Sequence, residues 1–423
     1  MSVLDPPGSP SSLGITVQSD RLAHFVGPSG DYWRLLIRGN ALVAVTLGIY
    51  RFWLSTDMRR FLWSNTVIGG ESLEYTGRGI ELFLGFLIAI AVLLPLYIVF
   101  AVIPFLIPGL AERNASGSML IIVLAFLGQF AIYRARRYRL TRTVFRGVRL
   151  HQSGSAWAYA FRSSGWWILI FWTLGLVYPW AEASLERYKM RHTFYGDLPG
   201  HFTATGGRLF VRGIVLWLIV VGPMLAALFV APFFDWSALD AALSKRDIGA
   251  GHSKMAGVGV LAGAAVIWAV LAALALYPAF QAMATRWWLS GVRFGDIALT
   301  SSLRTGQIYG IWLRFLLGVL VFAIAAALIL ALVPISWNQL AKGAHLSSGL
   351  QLVAAGFALV AYLVIVLAYS TIYQVIVKLS LWRVAVESLE ISNFHMVELV
   401  KAEGQQSSPF GEGLADALNV GSF

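Results

Sequence analysis

Six stretches of this chain, about 82–107, 116–133, 209–232, 256–278, 311–334 and 349–372, are apolar over close to the roughly 20 residues that carry an α-helix across a bilayer. Inside hydrocarbon the backbone must satisfy its own hydrogen bonds, so runs of this length fold as helices. The mean hydropathy is +0.71 and 13% of residues are charged, against roughly 25% in a soluble domain. The expected fold class is therefore an all-α integral membrane protein. The chain has no cysteine, which removes disulfides, thiolate metal sites and thiol nucleophiles. The net charge of +11 fits arginine-rich loops on the cytoplasmic side better than nucleic-acid binding, because no soluble domain carries it.

Two further apolar segments, 35–53 and 166–181, are shorter, and are broken by Gly48 in the first and by Gly175 and Pro179 in the second. Charge decides how to treat them. If all eight segments cross, the 32 Lys and Arg divide 13 to 16 outside the segments, with no bias. If the short pair dip in and return, the division is 24 to five, the asymmetry that membrane proteins show. Six full spans with two re-entrant or interfacial segments is therefore the expected arrangement, eight full spans the alternative. Both place the N- and C-termini on one side, and the charge makes it the cytoplasm.

The short segments share a motif. Thr46-Leu47-Gly48 returns as Thr173-Leu174-Gly175, and at the same offset of 127 Trp53 meets Trp180, Arg60 meets Arg187, Thr66 meets Thr193, Gly69 meets Gly196, Gly79 meets Gly206, and Leu82-Phe83 meets Leu209-Phe210. Arg212 and Pro232 recur 102 positions later as Arg314 and Pro334. The chain reads as three parallel-repeat helical hairpins, over about 30–150, 157–300 and 301–391, with the two Thr-Leu-Gly segments inserted. The whole of 21–400 forms one polytopic domain between a flexible N-terminal tail, 1–20, and a C-terminal tail, 401–423. Short apolar–glycine stretches at Val67–Gly70, Val144–Gly147, Phe194–Asp197 and Leu289–Val292 predict a small cytoplasmic β-hairpin element. Trp166-Trp167, Trp236 and Trp287-Trp288 read as interfacial anchors.

Phe25, Gly27, Gly30, Tyr32-Trp33-Arg34, the first Thr-Leu-Gly with Trp53, Arg59-Arg60, Asn65-Thr66 and Gly69-Gly70, together with Pro179-Trp180-Ala181 and Arg187-Tyr188, resemble the YjgN family. The tail Gly411–Ala417 is similar to that family's ending. The resemblance implies a multi-pass protein of the bacterial inner membrane and brings no catalytic residue with it. The chain departs from the pattern at Leu381-Trp382-Arg383, where no third Thr-Leu-Gly stands.

The six spans hold no Asp, Glu, Lys or His, so the usual machinery of ion-coupled transport is missing from them. Arg212 and Arg314 stand near the starts of two spans, where a guanidinium either snorkels to the headgroups or holds an anion. Arg134, Arg136, Arg137 and Arg139, with Arg142, Arg146 and Arg149, form the densest charge run. It serves either to hold its loop in the cytoplasm or as a surface for anionic lipid. No histidine spacing matches a metal site and no nucleophile motif is present, so neither cofactor nor metal is expected and the chain is not read as an enzyme. Membrane lipids with anionic headgroups are the expected partners. The favoured function is an uncoupled channel or carrier for a small anionic solute or lipid. The alternative is a non-transporting membrane organiser that binds anionic lipid through its arginine-rich helices, and a membrane-embedded enzyme ranks last.

Overall fold

Short strands and helical hairpins alternate along the computed structural model, which describes residues 22–106, 115–230, 253–331 and 348–404. Five times the chain leaves a strand, climbs one helix, descends a second and enters the next strand. The first unit is β1 (Ala23–Phe25), α1 (Ser29–Val45), α2 (Arg51–Ser64) and β2 (Thr66–Ile68). The second is β3 (Glu71–Ser72) with β4 (Glu74–Tyr75), α3 (Gly79–Leu106), α4 (Ala115–Thr141) and β5 (Thr143–Phe145). The third is β6 (Val148–Gln152), α5 (Ala156–Trp172), α6 (Tyr178–Arg191) and β7 (Thr193–Tyr195). The fourth is β8 (Leu198–Phe202), α7 (Gly206–Val230), α8 (Ser253–Leu289) and β9 (Val292–Phe294). In the fifth, β10 (Ile297–Ser301) and α9 (Thr305–Ala331) are followed by α10 (Ser348–Ile372). A π-helical stretch (Tyr373–Leu379) joins α10 to α11 (Ser380–Glu387), and β11 (Leu389–Ser392) closes the unit. A 3₁₀ helix, Phe394–Leu399, comes last.

One backbone hydrogen bond recurs at the foot of every unit. The amides of Val26, Thr76, Ser153, Thr203 and Ser302 donate to the carbonyls of Asn65, Arg142, His192, Gly291 and Ser388, at 3.0, 2.8, 2.8, 2.9 and 3.0 Å. Each bond ties the residue that leaves one strand to the residue that precedes the next. Both feet of each helical hairpin are thus pinned together, so every hairpin leaves from and returns to the same level.

Six helices among the described residues are long and apolar enough to cross a membrane: Gly79–Val102, Gly117–Thr141, Gly206–Phe229, Gly259–Leu289, Thr305–Leu328 and Leu359–Glu387. They make up the second, fourth and fifth hairpins. The α1–α2 and α5–α6 pairs are the short ones, and they carry the Thr-Leu-Gly motifs at their turns. The six spans expected from the sequence thus correspond to six membrane-length helices, and the two Thr-Leu-Gly segments fall in shorter helices. Several helices outrun the apolar stretch that announced them: α4 continues through the arginine run, and α8 extends to Leu289.

The strands make more than the small element expected. Eight pair antiparallel in the order β11-β10-β9-β8-β7-β6-β5-β4, and three pair in the order β1-β2-β3. Glu71–Tyr75 joins the two sheets, since its first part pairs with β2 and its second with β5. The resulting belt curls until β11 lies against β1, with Phe25, Leu389 and Ile391 in one cluster. Four tight turns lie along the belt edge away from the helices. They use left-handed backbone at Gly69-Gly70, Arg146-Gly147, Gly196 and Gly295. One sequence expectation is corrected here. Leu289–Val292 is not a hairpin turn; Gly291 ends α8, where a Cβ would lie 2.5 Å from the Phe202 ring, and the turn falls at Gly295-Asp296. Trp287 is corrected too: it is buried against Phe202 and donates to the Thr205 carbonyl at 3.0 Å, so it is a core residue and not an anchor.

The helices follow the same circle. Each packs on its neighbours in chain order, and α10 packs on α1 to complete the round; among the described residues no helices further apart in that order share an extended face. Each descending helix also packs on the strand that opens the following unit: α2 on β4, α4 on β6, α6 on β8, α8 on β10, and finally α11 on β1. Asn40 donates to Thr371 Oγ1 at 2.6 Å, Trp382 donates to Thr66 Oγ1 at 2.9 Å, and Arg383 reaches the Gly27 carbonyl at 2.8 Å. These contacts join the last unit to the first. The flexible-tail expectations for 1–20 and most of 401–423, the family-like ending at Gly411–Ala417, Trp236, Pro232 and Pro334 lie outside the described residues.

Candidate membrane-active site

The Thr-Leu-Gly motif is a helix-turn-helix joint. In the first copy, Gly48 N–H donates to Val43 O at 2.8 Å and Leu47 N–H to Ala44 O at 3.3 Å, the paired bonds of a Schellman helix end. Thr46 Oγ1 donates to Leu42 O at 2.7 Å and accepts from Tyr50 N at 3.0 Å, so one hydroxyl closes α1 and steadies the entry to α2. The second copy repeats this. Gly175 N–H reaches Ile170 O at 2.8 Å, Thr173 Oγ1 donates to Leu169 O at 2.8 Å, and Val177 N donates to Thr173 Oγ1 at 3.4 Å. Pro179 then sits in the first turn of α6, where its missing N–H does no harm.

What the joint presents is unusual. The left-handed position that glycine normally takes in this motif is occupied by leucine, at φ 50° in Leu47 and 49° in Leu174. Left-handed backbone costs a side-chain-bearing residue roughly 1–2 kcal/mol. The side chains so placed are exposed: Leu47 is 90% exposed, and beside the second joint Phe171 and Trp172 are each 78% exposed. Val45, Ile49 and Leu174 are exposed as well. Six large apolar side chains at two tips gain on the order of 10 kcal/mol when taken from water into hydrocarbon, at about 1.5–3 kcal/mol each. That gain outweighs the strain of two leucines, and it gives the strain a reason.

The repeated residues around the motif fix each hairpin against the following span. A Cβ on Gly79 would lie 2.8 Å from Trp53 Cα, and one on Gly206 would lie 2.8 Å from Trp180 Cα. The next span therefore starts in direct backbone contact with the short hairpin. Phe83 and Phe210 lie tilted against Trp53 and Trp180 at 5.9 and 4.8 Å, and Leu82 and Leu209 are buried. Trp217 Nε1 donates to the Leu174 carbonyl at 2.8 Å and ties the second tip to α7. At the feet, Thr66 and Thr193 hydroxyls cap the ends of α2 and α6 on Leu62 O and Lys189 O. Gly69 and Gly196 leave room for the C-terminal segment: a Cβ would meet the Phe394 ring at 2.2 Å and the Lys401 carbonyl at 2.3 Å.

The arginine run is spent largely inside the protein. Arg134 lies over the Phe130 ring. Arg136 stands 3.8 Å from Glu186 and also donates to Met190 Sδ. Arg137 holds the carbonyls of Ser153 and Gly154. The Arg139 carbonyl accepts from Thr143 Oγ1 at 2.9 Å. Arg142 is buried on Glu81 at 3.0 Å, and Arg146 pairs with Glu71 at 3.1 Å. The structure thus separates the expected arginine contacts into two sets. Arg212 and Arg314 are exposed on the lower turns of α7 and α9, without a hydrogen bond or ion pair among the described residues, and the α4 set ties its hairpin to the belt.

Sequence reasoning passed over Glu182 and Glu186 on α6, because they lie outside every apolar span. Glu186 is buried and touches Lys189 as well as Arg136. Burial alone would raise its carboxyl, but Lys189 and Arg136 together hold it below the ordinary range. Glu182, one turn nearer the tip, is pushed up by burial, with Lys189 offsetting part of the rise. Their spacing of four residues on one helix face was the available signal.

Six membrane-length helices, two shorter hairpins with bare apolar tips and a β-belt joining all the feet define a polytopic membrane protein. The chain belongs to the family described as bacterial protein of unknown function (DUF898), whose model matches residues 21–321. This is the YjgN-like family that the Thr-Leu-Gly and Pro-Trp-Ala motifs resembled. Comparison with curated proteins and with solved structures finds no match.

Proposed function

We propose that this protein organises the membrane around it, with the α1–α2 and α5–α6 hairpins inserted as wedges into the cytoplasmic leaflet of the bacterial inner membrane. One observation carries the reading. Each short hairpin has both feet pinned by a single backbone hydrogen bond, Val26 to Asn65 and Ser153 to His192, while its tip leaves large apolar side chains exposed. The same bond pins the three long hairpins, so length is what sets the short pair apart. At 1.5 Å per residue the 17 residues of α1 extend about 25 Å, less than the roughly 30 Å hydrocarbon core even before the part beside the belt is subtracted. The charge asymmetry supports a cytoplasmic side for the belt in this reading. Exposed Arg212, on the helix that packs on α6, would hold an anionic headgroup beside the second wedge, and Arg314 would hold one at the fifth hairpin.

Permeation draws less support. The belt interior is filled by Phe145, Val148, Tyr195, Ile297 and Val397, which leaves an aqueous path little room on that axis. The test is reconstitution into vesicles of phosphatidylethanolamine and phosphatidylglycerol. The wild type should deform the vesicles without passing anions. The triple variant Phe171→Ser, Trp172→Ser, Leu174→Ser should remain folded and lose the deformation. Anion flux equal in wild type and triple variant, with no deformation in either, sinks the wedge reading.

A further inference from the structure

We propose that residues 393–404 form a detachable strap across the end of the β-belt away from the helices, with Gly69 and Gly196 as its sockets. The proposal does not rest on the wedge reading. After β11 the chain turns through Asn393, left-handed at φ 59°, into the 3₁₀ helix Phe394–Leu399. Three residues make one turn of such a helix, so side chains three apart line up on one face. Phe394 and Val397 share that face, and Val400 follows it. All three join the apolar fill of the belt with Phe145, Val148 and Tyr195. His395 and Glu398 share another face and are exposed.

The sockets give a reason for two repeated residues that lie outside the short hairpins. Gly69 and Gly196 correspond at the offset of 127, and both hold left-handed backbone at φ 57°. Turn geometry alone would admit asparagine there, but space makes a second demand. A Cβ on Gly69 would run into the Phe394 ring, and one on Gly196 would lie 2.6 Å from Val400 Cγ1. Gly70 and Gly147 are left-handed as well, at φ 86° and 74°, yet a Cβ on either meets nothing within 4 Å. The crowding is thus specific to the two positions that the strap crosses.

Around the sockets the strap is clasped rather than woven in. It is a strand of neither sheet. Asn393 Nδ2 donates to the Asp296 carbonyl at 3.1 Å, and Lys401 N donates to Asp197 Oδ1 at 3.0 Å. The Arg146 guanidinium lies 5.1 Å over the Phe394 ring, with its Nη1 4.0 Å from Glu398 Oε1. Each of the four belt turns therefore contributes one grip. Within the 3₁₀ helix only Val397 is buried. A segment with few buried groups and no ladder bonds opens at lower cost than the strands beneath it. Seated, the strap shuts this end of the belt. Lifted, it uncovers Val148, whose Cγ1 stands 3.0 Å from the same Gly196 Cβ position that Val400 crowds.

The test uses the full chain, which has no cysteine, with Val148→Cys supplying a single thiol. Its reaction with a water-soluble maleimide should be several-fold slower than in the same chain ended at Ser392. A synthetic peptide of residues 393–404 should slow the shortened chain again. In the full chain, Gly69→Asn with Gly196→Asn should speed the reaction several-fold, because asparagine accepts left-handed backbone but fills the sockets. Gly70→Asn with Gly147→Asn should leave the rate unchanged, and this comparison stands even where the shortened chain fails to fold. Amide exchange should be faster over 393–404 than in β6 and β7. Equal reaction in the full and shortened chains, or equal effects of the two glycine pairs, overturns the strap. Strap amides that exchange in step with those of β6 and β7 make it a fixed part of the belt and overturn its detachment.

Discussion

Leu47 and Leu174 are where the local cost and the membrane gain can be measured separately. Both hold left-handed backbone that glycine would adopt freely. In detergent solution, Leu47→Gly with Leu174→Gly should raise stability by about 1 kcal/mol per site, through relief of strain. The same pair should weaken vesicle deformation. A thermal melt that falls, or deformation that stays intact, contradicts the role given to these leucines. Glu186 makes the opposite kind of prediction. Its carboxyl is held below the ordinary range, so its stabilisation is complete above the usual carboxylate pKa, roughly 4.3, and drains away as pH falls through the depressed value. Glu182 works against this slope, since a carboxyl raised by burial disfavours the fold as it ionises. Glu186→Gln should cost about 3–5 kcal/mol at neutral pH, because Arg136 and Lys189 then stay buried without their counter-charge. Its acid limb should also be flatter than that of the wild type in pH-dependent denaturation. At this scale the sequence was a poor guide. The identity of Trp53 and Trp180 was plain, but that each meets a glycine backbone from the following span was not, because those partners lie 26 positions further on.

The elements divide by length in how well they could be foreseen. Apolar runs of twenty residues announce their helices, and the two shorter runs fall in the shorter helical pairs. The strands are two to five residues long, too short for alternation to register, and only their glycine turns gave them away. Gly291 and Gly295 stand four apart, and the wrong one was taken for the turn because it followed the apolar run more closely. The segment Asn393–Gly404 gave no signal at all, yet it crosses the four turns of the belt. Asn393 donates to Asp296 O at 3.1 Å, Phe394 lies under the Arg146 guanidinium, Lys401 N reaches Asp197 Oδ1 at 3.0 Å, and Gly404 abuts His151. His151 also stacks on Phe194 at 5.0 Å. Burial holds its imidazole below its ordinary pKa, with Glu403 opposing part of the shift. The neutral ring therefore belongs to the closed state. Its stabilisation is complete above about pH 6.5 and is lost as pH falls below that value. Hydrogen exchange of residues 393–404, corrected for intrinsic rates, should quicken between pH 7.5 and 5.5 in the wild type and not in His151→Phe. Equal pH dependence in the two would mean that His151 does not govern this contact.

For the whole molecule, the decisive feature is closure of the circle. The absence of cysteine allows a clean check: Asn40→Cys with Thr371→Cys should form a disulfide between the first and last units, on a background with no other thiol. A pair that stays reduced under oxidation means that the circle is open. Reporter tags after Arg149 and after Gly196 should report one compartment, since the α5–α6 hairpin between them returns to its own foot. The membrane class and the six membrane-length helices were legible in the sequence. The five-unit order was not, because its unifying mark is a backbone hydrogen bond that any residue type can make.

A circle laid down in chain order has a single seam, and here it lies where the fifth unit meets the first. Until α10 and α11 have been made, α1 and β1 lack the helices that pack on their open side, so a chain cut before them carries a bare apolar flank. A cell that degrades chains on the strength of such a flank would clear each truncated copy while sparing those in which the circle has closed.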